Sequence, residues 1–144
     1  MIIAKEQETL TSIADALRSK YFEITSKIGS QHGFLGVHWD FAIPSQVMPS
    51  MDGSVDNILE KYNVKTAAKT PATKKLFISN PLSPKLSKLR QEWFHSCVME
   101  LHYLAKRIRN EILTAVSYCV TKALCPDEDD EKKLDRILSY LYDT

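Results

Sequence analysis

The feature that most constrains this chain is the apolar period of its final stretch. From Pro84 to Thr144 apolar residues recur at steps of three and four, without sustained alternation. A stretch of that kind buries one face of each of several helices rather than the two faces of a sheet. Leu86, Leu89 and Trp93 lead into Phe94, Val98, Leu101, Ala105 and Ile108. A second run has Ile112, Ala115, Val116, Cys119 and Ala123, and a third has Leu134, Ile137, Leu138 and Leu141. Ser83 before Pro84 predicts the start of the first helix. The last helix is predicted near Pro126-Asp127. The acids from Asp127 to Glu131 suit the positive end of its dipole and are expected to form a solvated first turn.

Upstream the period changes. Leu10, Ile13, Ala14, Leu17 and Tyr21 predict an amphipathic helix over 5–21. Phe22-Glu23-Ile24 is a candidate short strand, and glycines at 29 and 33 suggest a turn. Phe34–Ile43 alternates, with Leu35, Val37, Trp39 and Phe41 on one face and His38 and Asp40 on the other. Gln46–Met51 is a candidate return strand that Pro44 and Pro49 confine to an edge or break. Asp52 predicts a cap for a short helix, Gly53–Tyr62, with Val55, Ile58, Leu59 and Tyr62 inward and Asn63 ending it. From Lys65 to Leu82 the pattern dissolves into Thr, Ala and Lys with Pro71 and Pro81, a loop expected to be the most mobile part of the chain. The fold class is therefore α+β: a small antiparallel β remnant with one N-terminal helix over 1–52, then a predominantly helical cluster over 53–144 with a flexible loop at about 64–83.

With 144 residues, 44% hydrophobic and 26% charged, the chain has the composition of one ordinary globular domain, not of a disordered or fibrous protein. The longest largely apolar stretch, Ile112–Val120, is far short of the ~20 residues needed to cross a bilayer. Lys5, Glu6 and Glu8 interrupt any apolar signal core, so an intracellular place, cytoplasmic or nuclear, is expected. Cys97, Cys119 and Cys125 then read as reduced thiols.

The net charge of +1 conceals segregation. Residues 61–124 hold 12 basic and 3 acidic residues, whereas residues 1–60 and 125–144 each carry a surplus of four acids. Such a basic block is what a phosphate-binding surface requires. It also suits a loop kept soluble by Lys65, Lys69, Lys74 and Lys75, and Lys106-Arg107-Ile108-Arg109 at a helix end would complement the dipole without any ligand.

Tests for chemistry return little. Gly29, Gly33 and Gly36 lack phosphate-loop spacing. His95, Cys97, His102, Cys119 and Cys125 contain neither Cys-x-x-Cys nor His-Glu-x-x-His, and read as packing residues rather than zinc ligands. The acids Asp127–Asp130 are consecutive, whereas a two-metal site draws carboxylates from separate elements. No catalytic residue, metal or cofactor is assigned.

The segment FHSCVMELHYLAKRIRNEILTAVSYCVTKALCPDEDDEKKLDRILSYLYDT, from Phe94, closely resembles the stretch joining reverse transcriptase to RNase H in copia-type LTR retrotransposon polyproteins. Tyr103, Leu104, Ala105, Arg107, Arg109, Ile112, Ala115, Val116, Leu134, Arg136, Ile137, Leu138, Tyr140, Leu141 and Thr144 fall on that pattern. Phe34-Leu35-Gly36, Met51–Leu59 and Thr70-Pro71-Ala72-Thr73 resemble upstream family segments, in family order. Where the family has Pro-Asp, this chain has Asn110-Glu111, so the flanking helices are expected to run closer to continuous. The family's Tyr/Phe-x-Asp-Asp polymerase motif is missing: none of the six tyrosines or five phenylalanines precedes x-Asp-Asp.

The resemblance implies the end of the palm, the thumb and the start of the connection. Those parts hold template–primer by its sugar-phosphate backbone without reading sequence. The nucleic-acid-binding candidates are Lys61, Lys65, Lys106, Arg107 and Arg109, and the partner would be RNA–DNA or RNA duplex. A non-catalytic binding piece is one expectation. A structural module is another: Phe34, Trp39 and Phe41 would be exposed and mediate self-association or docking to a palm domain. An enzyme in its own right is not expected.

Overall fold

The computed structural model describes Ile2, residues 6–21 and residues 23–144. The fold is α+β, as the sequence pattern predicts, and divides into two compact units, Met1–Ser50 and Met51–Thr144.

The first unit begins with α1 (Gln7–Lys20), whose apolar residues Leu10, Ile13, Ala14 and Leu17 are only half-buried. Lys5 and Phe22 lie outside the described residues, and Glu23 and Ile24 form no strand. Strands β1 (Gln31–Phe34), β2 (Val37–Asp40) and β3 (Met48–Ser50) form an antiparallel sheet in sequence order. The continuous strand predicted over 34–43 is instead a hairpin. Leu35 and Gly36 both have positive φ, 51° and 71°, and turn the chain in two residues. This matches the twist of a two-residue hairpin turn, for which Gly36 is suited and Leu35 is not. Gly33, expected in a turn, pairs with His38 inside the ladder. Pro49 sits opposite Trp39 on the edge strand β3, where its missing N–H need not serve the ladder. Among the described residues of this unit, Val37 alone is fully enclosed.

The second unit holds the helices. In α2 (Ser54–Lys61) Gly53, not Asp52, occupies the cap position, with φ at 72° and no side-chain cap bond. Asn63 ends the helix as expected. It takes positive φ, its N–H reaches Glu60 O, and Val64 N–H reaches Leu59 O. Those two bonds form the paired closure that left-handed residues support at helix ends.

Helix α3 (Lys88–Arg107) starts five residues after Ser83. Residues 84–86 are extended instead: Leu86 N–H donates to Pro126 O and Glu128 N–H to Pro84 O, bridging Lys85 to Asp127. Leu86 is buried there, but Leu89, expected inward, is 78% exposed. After α3 comes a break over Ile108 and Arg109, a short 3-10 turn at Asn110–Ile112, then α4 (Leu113–Lys122). The near-continuous helix expected from the missing proline does not form. Arg109 leaves helical geometry with φ −111° and ψ 58°, and its N–H reaches back to Leu104 O. Its guanidinium bonds Glu111 and the Thr144 hydroxyl, both at 2.5 Å, which holds the break by side-chain contacts.

Helix α5 (Glu128–Asp143) closes the unit. Phe94, Cys97, Val98, Leu101 and Ala105 of α3, Ile112 of the 3-10 turn, Ala115, Val116 and Cys119 of α4, and Leu134, Ile137, Leu138 and Leu141 of α5 form its buried core. The segment over 64–83 has no helix or strand, as expected, yet it is fastened to α5. Ala68 N–H donates to Ser139 O, Thr66 and Ser139 share a 2.7 Å hydroxyl bond, and Arg136 reaches Thr70 at 2.9 Å.

Candidate nucleic-acid interface

The five predicted cations do not form one surface of free charge. Lys61, at the end of α2, is ion-paired with Glu100 in the middle of α3 and lies 5.3 Å from the Tyr62 ring. Tyr62 shares Glu100 through its hydroxyl, at 3.1 Å, and meets Trp93 edge-on at 5.5 Å. Burial, then the Cys97 and Glu100 charges, push the Tyr62 phenol well above its ordinary pKa. Lys61 thus serves as a strut between α2 and α3. Lys61, Tyr62, Leu89, Glu92, Trp93 and Ser96 line a shallow groove of about 500 Å³ beside it.

At the C-terminal end of α3 the three remaining candidates from the basic run are neighbours in sequence, with different fates. Lys106 is exposed, and among the described residues no ion pair engages it. Arg107 is exposed and stacks its guanidinium 4.8 Å from the Tyr103 ring, which fixes its direction without neutralising it. Arg109 is withdrawn: its side chain is 18% exposed and paired with Glu111. Glu100 and Arg107 lie seven residues apart, on one face of α3 and about 10 Å apart along the axis. Lys65 is exposed at the start of the strapped segment.

The acidic run Asp127–Glu131 is not the solvated turn expected. Asp127 and Asp130 are buried, at 9% and 3% exposure. Asp127 accepts from the Asp129 and Asp130 N–H groups at 3.0 Å, and Asp130 accepts in return from Asp127 N–H. Burial pushes the Asp127 carboxyl up, but its bonds from Asp130 and Ser83 and the Lys85 charge outweigh that and leave it low. Asp130 is raised, chiefly by burial. Lys133 donates to Asp129, the Tyr118 hydroxyl and Ile78 O, so this network docks the 77–80 segment onto α4 and α5. The acids are structural, which the sequence signals only through the Asp-x-x-Asp spacing of a capping box.

Cys97 and Cys119 are buried among apolar side chains, Cys125 and His95 are exposed, and among the described residues no three His, Cys, Asp or Glu gather as metal ligands. Among the described residues no helix is long and apolar enough to cross a membrane. Compared with known proteins, the chain finds no matching family model, no matching curated protein and no matching solved structure.

Proposed function

We propose that this chain is a non-catalytic relative of the copia-type reverse transcriptase thumb and connection, one that holds RNA–DNA duplex through its backbone. The observation that carries the reading is the exposed pair Lys106 and Arg107, which have no ion-pair partner among the described residues and sit on a rigid helix end inside the basic block. Such cations position a duplex by its phosphates and carry no base information. The absence of a Tyr/Phe-x-Asp-Asp sequence supports a role without nucleotide transfer. The test is fluorescence anisotropy with a labelled RNA–DNA hybrid at several salt concentrations. Saturable binding that weakens steeply with salt is expected, with Lys106→Gln/Arg107→Gln weaker than the parent. A flat salt response, or no binding at low salt, overturns the reading.

The first unit favours a second reading, a protein-interaction module. Phe34, Val47 and Met48 are 48%, 46% and 57% exposed, in a unit where Val37 alone among the described residues is enclosed, whereas Trp39 and Phe41, expected exposed, are half-buried. Apolar side chains left in water at that density mark a docking surface more often than a finished core. Self-association in sedimentation experiments, with no hybrid binding, would select this reading.

A further inference from the structure

We infer that a second phosphate-binding surface of this chain is the ledge where residues 65–70 cross α5, formed by Lys65, Lys69, Lys132 and Arg136. The inference rests on the duplex-holding reading above and adds this ledge to the cations at the end of α3.

Arg136 is the starting point. Its side chain is half-buried, and one Nη donates to the Thr70 hydroxyl at 2.9 Å, which holds the guanidinium against the strap. Its Nε is buried with no hydrogen-bond acceptor. Among the described residues no carboxylate forms an ion pair with it, whereas Lys133 on the same helix and Arg90 and Arg109 elsewhere in the unit each have a carboxylate partner. A partly desolvated guanidinium without a counter-charge is unfavourable, and an incoming anion at its exposed Nη groups offsets that penalty. The planar fork fits phosphate oxygens two at a time.

The strap supplies the rest of the charge. Thr66, Ala68 and Thr70 make the contacts to α5, and Lys65 and Lys69, in alternate positions, are exposed. Four residues span at most about 14 Å. Over that length each strand of a duplex presents about four phosphates. Lys132 precedes Arg136 by one helical turn and is exposed on the same side of α5. Asp135, the acid next to Arg136, has its carboxyl raised by burial and by Glu131, and Arg90 is the cation that pulls it back. Asp143, seven residues past Arg136 on α5, is an exposed acid. Four cations thus line one track, fixed at Ser139 and Arg136, and none of the four has an ion pair among the described residues.

The test uses the full chain and a fluorescein-labelled RNA–DNA hybrid, titrated from about 50 to 200 mM salt. Lys65→Gln/Lys69→Gln alters only exposed side chains and should weaken binding about tenfold at the lowest salt. It should also flatten the log–log salt slope by about 2, one for each lost phosphate contact. Arg136→Gln should weaken binding further, and Arg136→Lys should restore only part of it. Lys74→Gln/Lys75→Gln, which removes the same charge from the same loop, should stay within about twofold of the parent. If the parent binds with a steep salt slope but Lys65→Gln/Lys69→Gln matches Lys74→Gln/Lys75→Gln, the ledge is wrong and the duplex-holding reading stands. If the parent does not bind, both fall. Displacement of the hybrid by polyglutamate as readily as by unlabelled hybrid would also overturn the phosphate assignment.

Discussion

Replacing Asp127 by alanine should cost the helical unit about 1–2 kcal/mol. One carboxylate oxygen accepts from two backbone N–H groups at the start of α5, at 3.0 Å each, in a site only 9% exposed. Alanine leaves the Asp130 N–H without its acceptor in a place water barely reaches, and leaves the Asp129 N–H with the Ser83 hydroxyl, 3.1 Å away. The Lys85 contact at 3.5 Å adds little, because that side chain is 58% exposed. Asp127→Asn keeps an oxygen acceptor in place and should cost only a few tenths of a kcal/mol near neutral pH. Thermal unfolding followed by far-UV circular dichroism reads the difference. For a unit the size of Met51–Thr144, each kcal/mol lowers Tm by about 4–8 °C. The pH dependence follows from the lowered Asp127 carboxyl: its contribution is complete above the ordinary carboxylate range and is lost as pH falls through its folded value. The parent's advantage over Asp127→Asn should therefore shrink on acidification below about pH 4. Asp130, raised by burial, runs the other way and is common to both proteins. An Asp127→Ala protein as stable as the parent, or an Asp127→Asn loss equal to the alanine loss, would refute the capping argument.

Burial holds the Cys97 thiol far above its ordinary pKa and pushes Cys119 up to about 12, so both stay protonated and inert near neutrality. A chromogenic disulfide reagent at pH 8 should titrate one thiol quickly, Cys125, and three after denaturation; two fast thiols would contradict the buried placement. Leu35 holds a left-handed turn position while 59% exposed, so Leu35→Asn should stabilise the hairpin by about 0.5 kcal/mol. Slower amide exchange at His32 and Trp39 would report it, and faster exchange would contradict it.

Most helices were legible because their apolar spacing and their burial agree. Leu134, Ile137, Leu138 and Leu141 are enclosed as their period requires, and Asn63 and Asp127 end and begin helices as their chemistry allows. The failures share a cause: tertiary contacts overrode a local signal. Leu35 has no turn character, so the hairpin was invisible; its register follows from pairing Phe34 with Val37. Ser83-Pro84 has the form of a helix start, yet the ladder to Pro126 and Glu128 draws residues 84–86 into extended backbone. The break after α3 needs no proline, because Glu111 and Thr144 hold Arg109 out of the helix. Of the predicted cations, sequence could not separate the paired Lys61 and Arg109 from the unpaired Lys65, Lys106 and Arg107, since each partner comes from another element or from across the break. Arg136 was visible only as one position of a family pattern, and its unmatched charge depends on what crosses α5 there.

The strap over α5 also sets a schedule for folding. Thr66 and Ser139 meet across 73 residues of chain. At ribosomal rates of roughly 5–20 residues per second, about 4–15 s separate the synthesis of the two. During that interval Leu76 and Leu86, both enclosed in the finished unit, have no α5 beside them. The lysines of this stretch then act as guards: they keep a waiting, sticky segment apart from its neighbours on other ribosomes until its seat is made.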